Sequence, residues 1–191
     1  MSAWREWAAT SQRRVEVLPP LRGAATMAAL EVDAASTLGA IALETGGILV
    51  DDAWLRLLGG GSDRLPSLAE WAGLVGDPFV EPVDRGLCVA ADAVGGFFVL
   101  LAQTNRVHSF LPDTLEWQDT RLGYSQFVHW TMHGDLDAFY GDLRRRDRVD
   151  LAADEALSIH ERAGATRPLT ELWALYPGGR LRELLASRRS D

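Results

Sequence analysis

Residues 38–61, LGAIALETGGILVDDAWLRLLGGG, decide how the fold is read. Apolar runs there are broken by Gly46-Gly47, interrupted at Asp51-Asp52 and stopped by Gly59-Gly60-Gly61. Glycine and aspartate between short apolar runs are turn signals, because both tolerate the backbone conformations that reverse a chain. The pattern predicts a strand over 38–43, a turn at Thr45-Gly46, a strand over 47–50, a turn at Asp51-Asp52 and a further apolar segment over 54–58. Residues 94–101, VGGFFVLL, repeat the device, with a glycine pair feeding an aromatic and β-branched run.

Working outward, residues 87–91 and 95–101 form the next predicted strand pair. Residues 107–111 and 115–118 form another, turned by Pro112-Asp113-Thr114. No repeated helix of ten to fifteen residues separates the strands, so a meander of antiparallel hairpins is expected and a parallel doubly wound sheet is not. On the N-terminal side, residues 2–14 are predicted helical with Ser2 as N-cap and Arg13-Arg14 at the helix end. Residues 15–18 read as a strand, and the alanine-rich residues 21–30 as a second helix. A helical turn over 66–72 carries Trp71, and 76–85 is loop-like. Ser125 is the expected cap of a helix over 126–133, and Asp135 that of a helix running to about residue 146. Residues 147–167 read as a lid, long loop or partly helical excursion, and 168–176 and 179–186 as closing helices. The expectation is one α+β domain over 1–191: an N-terminal helix, strand and helix over 1–36, a sheet core with packing helices over 37–146, and a C-terminal excursion over 147–191.

The chain of 191 residues is 47% hydrophobic and 24% charged, enough to bury a core without metal or disulfide staples. Its net charge of -8 argues against nucleic acid and anionic membrane as partners, since both require local positive potential. All 19 basic residues are arginine, so a lysine Schiff base, a lysine general base and a Walker-type phosphate loop are excluded. The single Cys88, in an apolar run, rules out an internal disulfide and a cysteine-based zinc site. With no basic-then-apolar leader and no apolar stretch of bilayer length, a cytoplasmic location is expected.

Several residues invite chemistry. His129 and His133 stand at helical i, i+4 spacing with Asp137 beyond, a metal-capable pattern; Trp130 stands where a zinc protease needs glutamate, so helix-face histidines are the simpler reading. Gly123-Tyr124-Ser125 starts like a nucleophile elbow but has Phe127 in place of the second glycine, which favours a helix cap. The glycine run 59–61 resembles a phosphate cradle without its lysine, and reads as a turn. Glu44 with Asp51 and Asp52 can form a carboxylate cluster, and Arg144-Arg145-Arg146 suits solvent at a helix end. Trp117 and Trp54 are the tryptophans read as candidates for an exposed partner surface, since aromatics anchor protein interfaces.

The segments 38–61, RLPSLAEW over 64–71, AADAVGGFF over 90–98, FLPDTLEW over 110–117 and LGYSQFVHW over 122–130 closely resemble the bacterial family called domain of unknown function 2625. The likeness spans 15–145 and returns in PLTELWAL over 168–175. More distantly, the order of hairpins, a GG-led strand, an aromatic strand and a helix carrying Phe127 and Trp130 resembles the SUKH superfamily. That likeness implies an α+β fold and, in bacteria, toxin-neutralising immunity proteins or other interaction modules. It carries over no catalytic set. The favoured expectation is a non-catalytic protein-binding module without cofactor or metal, whose partner is a protein, for instance a basic toxin. Trp54, Asp51, Asp52, Asp113, Glu116 and Trp117 are its expected binding residues. A hydrolase with a site near Glu44, Asp51 and His129 is the alternative. A small-ligand sensor is the third reading, whose sign is an apolar pocket beside Gly46-Gly47 or Gly95-Gly96.

Overall fold

The computed structural model describes residues 2–74, 86–145, 151–161 and 164–175. Seven strands, β1 (Val15–Leu18), β2 (Gly47–Val50), β3 (Leu55–Leu58), β4 (Gly86–Asp92), β5 (Phe97–Leu101), β6 (Arg106–Leu111) and β7 (Glu116–Leu122), pair in chain order as one antiparallel sheet. The fold is α+β, and the expected meander is present. The registers Val50↔Leu55, Ala91↔Phe97 and Leu111↔Glu116 put the β2–β3, β4–β5 and β6–β7 turns at the same end of the sheet. Asp51, Asp52 and Ala53 all take positive φ (57°, 55° and 61°), a left-handed path that side-chain-bearing residues rarely follow and that aspartate tolerates best.

Helices cover both faces of this sheet. They are α1 (Ala3–Thr10), α2 (Gly23–Leu30), α3 (Thr37–Glu44), α4 (Leu68–Leu74), α5 (Tyr124–His133), α6 (Leu136–Tyr140) and α7 (Leu169–Leu175). Successive strand residues point to opposite faces. Phe97 meets Trp71 of α4 and Trp173 of α7 at ring-centroid distances of 6.0 and 4.9 Å. Its neighbour Phe98 packs the other way, on Phe127 of α5 at 4.9 Å and Phe139 of α6 at 6.2 Å. Both phenylalanines are at most 1% exposed, each worth roughly 1.5–3 kcal/mol of burial. All four residues of β2 and of β3 are buried, as strands covered on both faces should be.

Residues 38–43 are helical, which corrects the predicted strand. Ser36 caps α3 by accepting the Gly39 N–H at 3.0 Å, and the run is rich in alanine and leucine with Ile41 as its only β-branched residue. Ser125 is not a cap either. Gly123 holds that position, its N–H donating to Gln126 Oε1 at 3.1 Å, while the Ser125 hydroxyl meets that of Thr37 at 2.6 Å. Asp135 does cap α6, accepting from the Ala138 N–H at 2.9 Å, but α6 ends at Tyr140 because Gly141 turns left-handed (φ 52°) into a 3-10 turn over Gly141–Arg145. Helix α1 is shorter than 2–14; Ser2 occupies its N-cap position without a side-chain cap bond. Within the predicted 147–167 excursion lies a strand, β8 (Glu155–Leu157), which pairs with β9 (Thr166–Pro168) in a separate two-stranded sheet. The expectations for 76–85 and 179–186 fall on residues outside those described.

Candidate functional site

The hairpin end of the sheet gathers acidic residues that are far apart in sequence. The β2–β3 turn carries Asp51 and the exposed Asp52; the β6–β7 turn carries exposed Asp113 and leads into exposed Glu116. Four strand spacings separate the two turns, about 19 Å. Between them the β4–β5 turn is crossed by the β8 segment, where the Leu157 N–H donates to Ala93 O at 2.8 Å and the His160 ring bonds Pro112 O. The crossing segment also carries exposed Asp154, whose carbonyl accepts the Leu169 N–H at 2.7 Å. Trp117 is half-buried, its ring 5.3 Å from Phe110 across the β6–β7 pair.

Trp54 does not join this surface. It is 3% exposed and stands edge-on to Tyr140 of α6 at 5.2 Å, because the left-handed run Asp51–Ala53 folds the chain over it and α6 supplies an aromatic wall. The candidate surface therefore comprises Asp51, Asp52, Asp113, Glu116 and Trp117, with Trp54 as support beneath.

Beside the β2–β3 turn opens a cleft of about 450 Å³, bordered by Asp51, Asp137, His133, Arg13, Thr10, Gln12 and Met132. The sequence explains its rim. Arg13 lies beyond α1 and turns its guanidinium onto the end of α5, donating to Met132 O at 2.8 Å and to Gly134 O at 2.5 Å. Cations are favoured at that negative end of a helix. The Asp51 N–H donates to Arg14 O at 2.8 Å, and Arg14 Nη1 pairs with Asp52 at 3.1 Å, so the N-terminal segment fastens the acidic turn.

The histidine pair of α5 is built into this fastening. The His129 and His133 rings stack at 4.7 Å, Trp7 meets His129 edge-on at 5.6 Å, and His133 Nε2 bonds Trp7 O at 3.0 Å. Among the described residues no three metal-capable side chains come together. Glu44 is engaged at the other end of β2. It accepts from Ser2 Oγ at 2.7 Å, Arg5 Nε at 3.0 Å and Trp4 Nε1 at 3.2 Å, and the Ser2 bond, with those of Arg5 and Trp4, holds its carboxyl below the usual range. Glu44 and Asp51 thus flank β2 from opposite ends and do not converge on His129.

The glycines are packing points. A Cβ on Gly60 would come 2.5 Å from Ala42 O, one on Gly46 2.3 Å from Pro19 O, and one on Gly96 2.3 Å from Asp92 Oδ2. A Cβ on Gly47 would likewise come 2.8 Å from Leu65 Cδ1, so Gly46, Gly47 and Gly96 are each closely packed on the side where a side chain would project. Gly60 O and Gly61 O accept the Arg22 and Leu21 N–H groups, so the glycine run braces the start of α2. Cys88 is 3% exposed, and burial pushes its thiol pKa up. The side chains of Arg144–Arg146 lie outside the described residues.

Two buried charges escaped the sequence reading. Arg56, in the leucine-rich strand LRLL, is 0% exposed; Nη2 reaches Ala152 O at 3.3 Å, while Nε and Nη1 have no hydrogen-bond partner among the described residues. Burial lowers its pKa to about 10, opposed chiefly by the charges of Asp92 and Asp154. Asp92, 2% exposed, accepts from the Gly96 N–H at 2.7 Å and the Val94 N–H at 3.0 Å, shaping the β4–β5 turn; burial raises its pKa against those bonds. The readable signal was a lone charge inside an apolar strand.

A family model for proteins of unknown function, DUF2625, matches residues 1–163, reaching further toward the N-terminus than the motifs above. Among curated proteins, the chain is 33% identical to the uncharacterised protein YbfG of Escherichia coli (strain K12), over an alignment covering 91% of this chain and 90% of that one. It is 31% identical to an uncharacterised protein of Haemophilus influenzae, covering 74% of this chain and 67% of the relative. No solved structure matches. Among the described residues no helix is long and apolar enough to cross a membrane. With a match over most of its length and these two relatives beside it, the chain belongs to the DUF2625 family.

Proposed function

We propose that this chain is a non-catalytic protein-binding module that docks a basic partner at the hairpin end of its sheet. The observation that carries this reading is topological: the meander brings Asp51, Asp52, Asp113 and Glu116 to one end, beside a half-buried Trp117. Their span of about 19 Å fits within a standard protein interface of roughly 800 Å² per partner. Acidic groups around an aromatic suit a basic surface, and the net charge of -8 speeds encounter with it. The competing hydrolase residues are committed elsewhere, Glu44 to fastening α1 and the histidine pair to Trp7.

From the distant SUKH likeness we further propose a toxin as the partner and immunity as the role, with another kind of interaction module as the alternative that likeness implies. It is supported by the GG-led β5, the turn before the aromatic β7, and α5 with Phe127 and Trp130 against Phe98. The test is affinity capture from the native lysate with wild type and with a variant carrying Asp51→Asn, Asp52→Asn, Asp113→Asn and Glu116→Gln. A basic protein retained by wild type at low salt and lost from the variant is the expected result. Equal capture by both proteins contradicts the proposed surface.

A further inference from the structure

We infer that the partner engages this chain by strand addition, laying an extended basic segment along residues 116–119 of β7. The inference rests on the protein-binding reading above and specifies its geometry. β7 is the last strand of the sheet, so one side of its backbone has no strand partner among the described residues, and Glu116, Gln118 and Asp119 are exposed. An unpaired strand edge is a ready template for an added strand.

The fold limits how much of this edge is usable. His108 pairs with Asp119, but the next pair is Val107 with Leu122, so Thr120 and Arg121 bulge out of register. Thr120 Oγ1 donates to Val107 O at 2.6 Å and Arg121 turns left-handed (φ 62°). A bulge of this kind ends regular pairing, leaving residues 116–119 as the open stretch. The opposite edge, β1, is blunted: it runs straight into Pro19-Pro20, and Arg64 Nη1 crosses to Glu16 at 2.5 Å.

Charge selects the occupant. A second copy joined through the same edge would set same-face residues opposite each other, Glu116 against Gln118 about Trp117, with no cation to meet Glu116, and would bring together two chains of net charge -8. A segment with arginine or lysine facing Glu116 and an apolar residue beside Trp117 satisfies both sides of the strand, while Asp119 is already tied to Arg106 at 3.1 Å. The occupant is therefore an extended basic segment of another protein.

The probe is a synthetic hexapeptide alternating arginine and valine, compared with the same peptide N-methylated at alternate backbone amides and with a glutamate-valine version. Binding of the basic peptide should slow amide exchange within 116–119. N-methylation on the docking edge, which removes the inter-strand donors, should weaken binding by about tenfold or more, and the glutamate-valine peptide should not bind. Strand addition is overturned if the N-methylated peptide binds equally, if no basic peptide binds, or if exchange at 116–119 stays unchanged in the bound state. Self-association that protects 116–119 replaces the basic segment with a second copy. Lysate capture that depends on Asp51 and Asp52 while 116–119 exchanges freely would leave the protein-binding reading standing without strand addition.

Discussion

Arg56→Met should leave the protein at least as stable as the wild type, although it removes a fully buried arginine from the middle of the sheet. The side chain is 0% exposed and its one hydrogen bond, to Ala152 O, is long at 3.3 Å. Burial brings its pKa from 12.5 to about 10, equivalent to roughly 3 kcal/mol against the charged form. Methionine fills similar volume with a flexible apolar chain and carries no desolvation penalty. Against that gain stand the weak bond to Ala152, worth about 0.5–1 kcal/mol, and the buried Asp92 carboxyl left without a cation beside it; the pull of Asp92 and Asp154 on Arg56 is already netted in that shift. The balance is about 0–2 kcal/mol of added stability, or a Tm rise of up to roughly 6 °C for a chain of this size. Urea unfolding followed by fluorescence of the seven tryptophans measures it directly. A loss of more than about 2 kcal/mol would refute the reasoning, since it would show Arg56 to be well compensated where it lies.

Glu44→Ala removes the acceptor for Ser2, Trp4 and Arg5 and should cost about 1–3 kcal/mol. In the wild type the lowered Glu44 pKa stabilises the fold above its ordinary 4.5, and this contribution fades as pH falls below that value. Amide exchange in α1 should therefore accelerate on acidification in the wild type and show no such Glu44-dependent step in the variant. Gly60→Ala places a methyl 2.5 Å from Ala42 O and 2.6 Å from Gly23 Cα, so thermal unfolding should show a loss of about 2 kcal/mol or more. Cys88 should resist a thiol reagent in the native protein and react on unfolding, because it is buried and its pKa is raised; rapid native labelling would contradict this.

The strands were legible wherever a turn residue marked their ends. Pro112-Asp113-Thr114 and the Gly95-Gly96 pair punctuate β4–β7, and Asp51-Asp52 separates β2 from β3. The six apolar residues 38–43 were ambiguous, since a short apolar run fits a buried strand or a buried helix equally. Ser36 with its bond to Gly39 settles the matter locally, and the packing of α3 beside α2 and α5 does so globally. Asp51, Asp52, Asp113 and Glu116 were each readable as turn or strand-edge residues, yet their shared end of the sheet follows from the registers of all seven strands, which no local pattern encodes. Trp54 was misplaced because its neighbours are surface aspartates; a chain that turns left-handed for three residues can bury the residue that follows. Arg56 was hidden because leucines on both sides made LRLL read as plain core.

The most direct measurement of the docking surface is site-specific photocrosslinking in the native cell, with the photoreactive residue placed at Asp52, at Asp113 or at Gln103. Asp52 and Asp113 lie on the two outer hairpin turns, whereas exposed Gln103 lies on the β5–β6 turn at the opposite end of the sheet. The same protein adduct from both Asp52 and Asp113, with none from Gln103, is the predicted result. An adduct from Gln103 alone, or no adduct from either hairpin position, would contradict docking at the acidic end.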